Sequence, residues 1–482
     1  MNSQSPSYSI PCLAQIKAQA SDRDFAELFR NQYVLDPHSN VRFPGWSSKS
    51  LNGWTLHHGF ALRVLEILDK NKTQVGFLLG HALYADSGLV RDCLTITSGI
   101  EDAGFWPSVE AQISELSGRY LAIIVTPRFQ RILPDPVSDI PVIYNPEMSR
   151  VGSSLGLVLT RPIRRNPLFD PRNVLTGKQT LSFGQTLDNE VFRCLPNHFL
   201  DLSDFSSHRF WPREDTVLTV APRRVRRNIV EITERLSAHM ASWISEFKCA
   251  MPVTGGKDSR ALLACSQEHL GEITQFFAHR FNNNTRRDAI TGQQIMAELG
   301  YPFEHYFRRD ASLRQRADMR LKMGWSGYRG ELGALHALES YPEDYIILRG
   351  NIMELIRANQ YRGDRLHGEV HIAHGIRRTG APEGEVHREI GKWQDLYMAW
   401  YDTLPSAAQA RPYDFGFIEH LLPNTQASYF TAMHRGPFIN PFNDRRLIQL
   451  AISIPPDIRY RKNLYEEIIL RRAPDLMNIP FN

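Results

Sequence analysis

The sequence predicts a mixed α/β protein made of two differently built regions. Its 482 residues exceed what a single hydrophobic core usually organises, so we expect two domains. Residues 1–210 contain short strand-like runs between Pro, Gly and Asp turns, such as Gln74–Leu79 and Tyr120–Val125. Residues 220–482 alternate strand-like and helix-like segments, which is typical of a parallel sheet covered by helices. The boundary between the regions is expected near residues 205–225.

Apolar runs and their flanking turn residues locate the individual elements. In the first region, Val151–Thr160 is interpreted as a further strand. In the second region, the expected strands are Cys249–Val253, Ile273–His279 and Tyr345–Leu348. Helical patterns follow Arg223–Arg227 and occupy Ala261–Cys265, Asp288–Leu299, Phe417–Met433 and Asn463–Arg472. Because α/β sheets bind ligands beyond the carboxyl ends of their parallel strands, a site is expected at that edge.

The composition is that of a folded soluble protein, with 42% hydrophobic and 22% charged residues. No apolar stretch is long enough to span a bilayer, and the first residues lack the form of a signal peptide, so we expect a cytoplasmic protein without a membrane partner. The five cysteines are widely spaced and indicate neither disulfides nor zinc. The net charge of +4 is small. The densest basic run, Arg223–Arg227, is interpreted as the solvated start of a helix, with a ligand patch as the open alternative.

The segment Thr254–Arg260, TGGKDSR, is the most informative motif in the chain. Its glycines let backbone N–H groups approach an anion, and the start of the following helix adds a favourable dipole. The hydroxyls of Thr254 and Ser259 can donate hydrogen bonds to phosphate oxygens, and Asp258 can hold a Mg²⁺ that bridges them. The order of residues differs from the Walker pattern. The sequence therefore predicts a phosphate-binding loop of another type, formed by Thr254, Gly255, Gly256, Lys257, Asp258 and Ser259.

Two further elements complete the candidate site. The strand Tyr345–Leu348 is followed by Gly350, and a carboxylate, Glu354, lies four residues beyond that glycine. A divalent ion between ATP phosphates usually needs more than one protein oxygen, so Glu354 is a candidate second ligand beside Asp258. Near the end of the sequence, Lys462 can neutralise charge that develops on a reacting phosphorus. Each of these residues alone would be interpreted as an ordinary surface residue.

Together these elements resemble the asparagine synthetase superfamily, which includes asparagine synthetases, β-lactam synthetases and lasso-peptide cyclases. The loop resembles the PP-loop of ATP pyrophosphatases, Ser-Gly-Gly-x-Asp-Ser, and Pro441–Asp444 resembles the family's P-F-l-D segment. Weaker similarities cover the first region, at Leu116–Ala122, Asp135–Tyr144, and Leu195–His198 with Trp211-Pro212. The resemblance implies a class II glutamine-amidotransferase-like β sandwich over residues 1–215, followed by a PP-loop parallel α/β synthetase domain over residues 216–482.

The resemblance also implies an activity and a set of site residues. The protein is expected to be an ATP- and Mg²⁺-dependent ligase that adenylates a carboxylate, releases pyrophosphate and forms an amide with an amine. Its substrate would be a small molecule or a peptide carrying these groups, joined within one molecule or between two, in a biosynthetic pathway. The residues implied to bind ATP are Thr254, Gly255, Gly256, Lys257, Asp258, Ser259 and Gly350. Asp258 and Glu354 would hold Mg²⁺, and Lys462 would stabilise the adenylation transition state.

Two positions depart from the family pattern. Position 2 is Asn2 where glutaminase activity needs a cysteine, and Cys12 is internal, so we expect the first domain to lack glutaminase activity and the amine to belong to the substrate. Asn351 stands where related enzymes carry a residue tied to base chemistry, and an amide cannot accept a proton at neutral pH. The base must then lie elsewhere, or the reaction needs little help from one. The candidate bases are His336, Glu331, His374 and Glu419.

Two other functions remain open at this stage. PP-loops also occur in tRNA-modifying enzymes, and the run Arg223–Arg227 would suit RNA, although no RNA-binding signature accompanies it and no nucleic-acid partner is expected. Alternatively, Asn351 and Arg260 would fit a catalytically degenerate protein that binds nucleotide and acts as a partner. The sequence leaves the substrates and the oligomeric state open, with a homodimer as one possibility for the latter.

Overall fold

The computed structural model describes residues 10–37, 42–84, 86, 88–308, 310–324, 341–361, 372–380, 390–432 and 436–481. The structure is mixed α/β and includes a parallel sheet, as the sequence predicts. The strands of the first region are β1 Tyr33–Asp36, β2 Ser47–Leu51, β3 Trp54–His58, β4 Val64–Leu68, β5 Gln74–Tyr84, β6 Gly88–Leu89, β7 Cys93–Thr95, β8 Ser117–Val125, β9 Gln130–Pro134, β10 Ile143–Asn145, β11 Arg150–Gly152, β12 Phe192–Arg193, β13 His198–Asp201 and β14 Ser207–Arg209. Those of the second region are β15 Cys249–Pro252, β16 Gln275–Arg280, β17 Glu304–Phe307, β18 Ile346–Leu348 and β19 Phe438–Ile439.

Helices surround these strands. They are α1 Leu13–Ala20, α2 Phe25–Leu28, α3 Phe105–Ser114, α4 Leu155–Val158, α5 Pro171–Thr176, α6 Val225–Glu246, α7 Lys257–Cys265, α8 Asn283–Glu298, α9 Leu313–Met323, α10 Ile372–Arg378, α11 Ile390–Tyr401, α12 Ser406–Gln409, α13 Pro412–Gly416, α14 Leu422–Ala432, α15 Arg445–Ser453, α16 Pro456–Arg461 and α17 Leu464–Arg472. Short 3₁₀ segments cover Asn351–Arg357 and Pro474–Met477, and a π-helical turn covers Phe417–Leu421. None of the helices in the described ranges has both the length and the hydropathy needed to cross a bilayer.

The first region contains two sheets. One has the strand order β12-β10-β11-β1-β3-β2 and is antiparallel. The other has the order β14-β13-β9-β8-β5-β4-β7, with β6 paired to β5, and is antiparallel except between β4 and β7. A hydrophobic cluster contains Tyr33 of the first sheet together with Leu121 and Ile123 of the second. The alternate residues of β8, Tyr120 and Ala122, belong to a different cluster. Because β8 is buried on both faces, its residues from Tyr120 to Val125 form a continuous apolar run.

The second region contains the parallel sheet, with the strand order β17-β16-β15-β18-β19. Its central strand β15 pairs with β16 on one side and with β18 on the other, so three loops meet at the carboxyl edge. Helix α6 packs beside this sheet through buried residues spaced by three or four, which are Ile229, Ile232, Leu236, Met240 and Trp243. The arginines of Arg223–Arg227 are exposed at the start of this helix, as expected.

Two element predictions need correction. The run Val151–Thr160 is not one strand, because β11 ends at Gly152 and helix α4 follows. Ser154 is the N-cap residue of α4, and Leu155, Leu157 and Val158 are all buried. From the sequence alone, a short apolar run such as this one is compatible with either a buried strand or a buried helix. Helix α8 begins five residues before the predicted Asp288. Its start is set by a capping box in which the side chains of Asn282 and Thr285 each bind the other's backbone N–H.

The two regions share an extensive contact surface. The backbone N–H of Gly118 donates to the backbone carbonyl of Asn443 at 3.0 Å. In return, the side-chain Nδ2 of Asn443 donates to the carbonyl of Gly118 at 2.7 Å. Gly118 has a φ of +106°, and a Cβ there would lie 2.9 Å from the ring of Trp243, so a larger residue would strain this contact. The domain division at residues 215 and 216 stays a prediction, since one hydrophobic cluster includes both Tyr120 and Trp243.

Candidate functional site

The predicted phosphate loop lies at the carboxyl end of the central strand β15. The strand continues in Val253, whose N–H donates to the carbonyl of Phe277 on the neighbouring strand β16 at 2.9 Å. The chain then turns through the two glycines into α7. The hydroxyls of Thr254 and Ser259 lie 2.8 Å apart, and the N–H of Gly256 donates to the Thr254 hydroxyl at 3.2 Å. These bonds close the loop around the two side chains that the sequence assigns to phosphate.

The start of α7 is suited to bind an anion. Its N-cap residue is Gly256, which has no side chain, and no side-chain cap hydrogen bond forms there. The first-turn N–H groups therefore keep their capacity for an external acceptor, and the helix dipole adds to it. Ala261, Leu263 and Ala264 are buried and fix the position of the helix. Lys257 begins the helix, half-buried, with its ammonium 5.7 Å from the centre of the Phe481 ring.

Arg260 has a structural explanation. Its side chain is buried, and its guanidinium donates to the carbonyls of Leu476, Ile479 and Pro480. Its Cζ also lies 4.1 Å from the centre of the Phe481 ring. The arginine therefore ties α7 to residues 476–481, and its departure from the family motif does not by itself indicate a degenerate site.

The second predicted element lies directly beside the loop. Strand β18 is the parallel neighbour of β15, so Gly350 and the 3₁₀ segment Asn351–Arg357 reach the same edge of the sheet. A Cβ on Gly350 would lie 3.3 Å from the Cβ of Asp258 and 3.1 Å from Leu262 Cδ1. Glycine is favoured here because side chains of α7 occupy the space that a Cβ would need. The packing of β15 against β18 thus brings the Asp258 and Glu354 segments together.

Asp258 is surrounded by charged and polar groups. Its side chain is one quarter exposed; Oδ2 lies 3.1 Å from Nη2 of Arg357, and Oδ1 accepts a hydrogen bond from the hydroxyl of Tyr465. Partial burial raises the pKa of the Asp258 carboxyl, the charge of Arg357 opposes this rise, and the negative charge of Glu354 adds to it. Glu354 is therefore near enough for its charge to act on Asp258.

These carboxylates fit a magnesium ion. Glu354 is half-buried, and its Oε2 lies 3.4 Å from Nδ2 of Asn359. Mg²⁺ prefers oxygen ligands and is usually held by one or two carboxylates together with substrate phosphates. Within the part of the chain that the structure describes, no three His, Cys, Asp or Glu residues form a metal cluster. Asp258 and Glu354 would therefore depend on nucleotide oxygens to complete the coordination.

Lys462 lies at the end of helix α16, with an exposed side chain. Its backbone N–H donates to the carbonyl of Ile458. Among the described residues its ammonium makes no ion pair with Asp258 or Glu354. Tyr465, whose hydroxyl donates a hydrogen bond to Asp258, follows Lys462 by three residues. Lys462 is thus close in sequence to a residue that contacts Asp258, but its own side chain is not joined to the carboxylates.

The candidate bases are in different situations. His336 and Glu331 lie outside the described residues. His374 is buried on α10, with its ring edge-on to Tyr413 at 4.7 Å. Glu419 is fully buried, and its oxygens accept hydrogen bonds from Arg209, Asn197 and Trp400. This fully paired carboxylate links the two regions of the protein and is a poor candidate for a base.

Asn351 and Cys12 bear on the two expected departures from the asparagine synthetase pattern. Asn351 is half-buried, and its Oδ1 accepts a hydrogen bond from Nδ2 of Asn440 at 2.9 Å. This bond joins the ends of β18 and β19. Cys12 is buried at the N-cap of α1, and burial raises the pKa of its thiol to about 11. Because the thiolate is the nucleophilic form, burial disfavours a nucleophilic role for Cys12.

Sequence reasoning missed two residues of the site, Arg357 and Tyr465. Both contact Asp258, from positions 99 and 207 residues away in the chain. Arg357 follows Glu354 by three residues, and Tyr465 follows Lys462 by three. For Arg357 this spacing was an available signal, because both residues lie in the 3₁₀ segment Asn351–Arg357 and positions three apart on one helix share a face. Lys462 ends α16 whereas Tyr465 lies in α17, so no such signal marks Tyr465.

No protein-family model matches this chain, and no curated protein sequence matches it significantly. The chemistry of the site itself therefore carries the functional proposal.

Proposed function

We propose that this protein is an ATP- and Mg²⁺-dependent ligase of the asparagine synthetase-like type, which forms an amide through an acyl-adenylate. The observation that carries the proposal is the pairing of a glycine-rich, hydroxyl-bearing loop with two carboxylates at one edge of a parallel sheet. Thr254 and Ser259 offer hydroxyls, α7 offers N–H groups, and Asp258 and Glu354 offer anionic oxygens. This combination suits a triphosphate with its magnesium ion.

Each group would have a distinct task. The loop and the start of α7 would orient the β- and γ-phosphates, while Asp258 and Glu354 would hold the magnesium ion, which neutralises phosphate charge. Lys462 would approach the α-phosphate and stabilise the charge that develops as a carboxylate attacks it. The protein's contribution would be mainly orientation and charge neutralisation, because AMP is already a good leaving group.

We further propose that the first region is a glutamine-amidotransferase-like β sandwich without glutaminase activity, and that the protein acts in the cytoplasm. Support comes from a hydrophobic cluster shared by the two antiparallel sheets. Support also comes from Cys12, whose buried thiol has a raised pKa. The amine would accordingly be part of the substrate, a small molecule or a peptide.

One observation favours a second candidate, a protein that binds nucleotide without turning it over. The Lys462 ammonium is exposed and makes no ion pair with either carboxylate among the described residues, while Arg357 occupies an oxygen of Asp258. In that case the loop would bind MgATP, and no adenylate would form.

Exchange of labelled pyrophosphate into ATP tests these candidates. The protein is incubated with ATP, Mg²⁺ and pools of amino acids and short peptides as carboxylate donors. We expect exchange that depends on the donor, and AMP as the nucleotide product. Binding of MgATP without exchange would favour the second candidate. Accumulation of ADP would contradict the ligase. Release of glutamate from added glutamine in step with turnover would instead contradict a first region without glutaminase activity and an amine that belongs to the substrate.

The variant Lys462→Ala tests the assigned role of the lysine. We expect a loss of about 10²-fold in exchange, because the variant removes a positive charge from the transition state. Binding of MgATP is expected to change little, since the lysine would act mainly in the transition state. Arg461→Ala, which removes the neighbouring exposed cation, is the matched control and is expected to stay near wild type. Equal activity of Lys462→Ala and wild type would remove Lys462 from the site.

A further inference from the structure

Arg357 is a cation in direct contact with one of the proposed magnesium ligands. Its Nη2 lies 3.1 Å from Oδ2 of Asp258, and the negative charge of Glu354 also acts on its guanidinium. Its Nε is buried and has no hydrogen-bond partner within the residues that the structure describes. About a third of the side chain is exposed, so the guanidinium is not enclosed by protein on every side. Arg357 thus has spare donor capacity beside the place where phosphates are expected.

Tyr465 contacts the other oxygen of the same carboxylate. Its hydroxyl is within hydrogen-bond distance of Asp258 Oδ1 and of the carbonyl of Met353, and its single proton can serve only one of them at a time. The Tyr465 ring also lies 5.7 Å from Cζ of Arg357. Asp258 is therefore held from two sides, by a neutral donor on Oδ1 and by a cation on Oδ2.

A cation and a divalent metal ion cannot occupy the same face of one carboxylate oxygen without repelling each other. We propose that Arg357 is a positioning residue that holds Asp258 Oδ2 until a metal–nucleotide complex arrives, and then moves from the carboxylate to the phosphates. This inference rests on the proposed function. The guanidinium is suited to the second role, because its planar set of donors matches phosphate oxygens. The free metal ion has to displace Arg357, whereas the metal–nucleotide complex supplies a new partner for it.

The variant Arg357→Gln distinguishes the proposed movement of Arg357, from Asp258 to the phosphates, from a merely structural role. Mn²⁺ is the probe, because it takes the same oxygen ligands as Mg²⁺ and its free form is counted by electron paramagnetic resonance. Without nucleotide, we expect the variant to bind Mn²⁺ about fivefold more tightly than wild type, since the competing cation is gone. ATP itself binds Mn²⁺, so with ATP present the readout is the binding of labelled ATP in equilibrium dialysis, and we expect the variant to bind the Mn²⁺–ATP complex about tenfold more weakly. A structural role predicts weaker binding in both experiments.

Two further variants complete the test. Arg472→Gln removes an arginine that pairs with Glu268 at the opposite end of α17, and it is expected to bind Mn²⁺ like wild type. Arg357→Lys keeps the charge without the planar donors, so Mn²⁺ binding should stay within about twofold of wild type while binding of the ATP complex still weakens. Unchanged or weaker binding of Mn²⁺ by Arg357→Gln without nucleotide would overturn this inference but leave the proposed function standing. Failure of the wild type to bind Mn²⁺ even with ATP would instead overturn the proposed function.

Discussion

Replacing Asp258 by alanine is expected to lower pyrophosphate exchange by about 10²-fold or more. The variant removes an anionic oxygen ligand of magnesium and at the same time leaves Arg357 without its ion-pair partner. The unpaired guanidinium of Arg357 would then be free to bind the phosphates and hold the nucleotide in an altered position. Initial rates of exchange at saturating ATP measure the effect, and binding of MgATP measures how much of it arises before the chemical step.

The isosteric variant Asp258→Asn is the matched control. It keeps the size of the side chain and can still accept a hydrogen bond from Tyr465, but it lacks the charge that attracts magnesium. We expect nearly the same loss of exchange as in the alanine variant. Because burial raises the pKa of Asp258, metal binding by the wild type should also weaken as the pH falls through that pKa. Full exchange activity in either variant would show that Asp258 is not a metal ligand.

Replacing Glu419 by glutamine is expected to destabilise the protein by about 3 kcal/mol, because it leaves Arg209 buried without a charge partner. Glu419 is fully buried and forms paired hydrogen bonds with Arg209 at 2.6 and 2.8 Å. The pair joins β14 of the first region to the π-helical turn of the second. Urea and thermal unfolding of variant and wild type measure the change, and a drop in Tm of about 3 °C is expected if the chain unfolds cooperatively.

The effect should depend on pH. Burial would raise the pKa of Glu419, but the charge and hydrogen bonds of Arg209 outweigh burial and lower the pKa to about 2 from an ordinary value of 4.5. A lowered pKa in the folded state stabilises the protein above the unfolded pKa, and this contribution is lost as the pH falls from 4.5 towards 2. The difference in Tm between the variant and wild type should therefore shrink across that range.

A surface ion pair provides the comparison. Lys70 and Asp102 are both substantially exposed, so Asp102→Asn should change the unfolding midpoint little. Replacing Arg209 and Glu419 together by leucines should cost less than Glu419→Gln, because no charge is left buried alone. A Glu419→Gln variant as stable as wild type at neutral pH would mean that the pair does not hold the two regions together.

Much of the local structure could be predicted because each segment carries its own signal. The apolar run Tyr120–Val125 lies in β8, and Asn463–Arg472 differs from α17 by one residue. The exceptions have local causes of another kind. Val151–Thr160 is divided by the cap residue Ser154, and the start of α8 depends on a capping box that apolar periodicity does not detect.

The candidate site could be predicted in part for the same reason. The loop residues Thr254 to Ser259 are consecutive, so their shared role is visible as a motif. Glu354 could be joined to them only through the expectation that two parallel strands end at one edge. Arg357 and Tyr465 belong to no motif, and their contact with Asp258 depends on the packing of α17 and the 3₁₀ segment against α7.

By itself, the sequence determined the mixed α/β class, the strand–turn–helix unit around residue 254 and the chemical nature of the loop, because backbone propensity and side-chain type are local properties. Only the tertiary structure decided that Arg357 and Tyr465 occupy the two oxygens of Asp258, that Arg260 binds the carbonyls of residues 476–480, and that Glu419 pairs with Arg209. These contacts join residues far apart in the chain. They form because sheet order and helix packing bring distant segments together, and no local pattern records that arrangement.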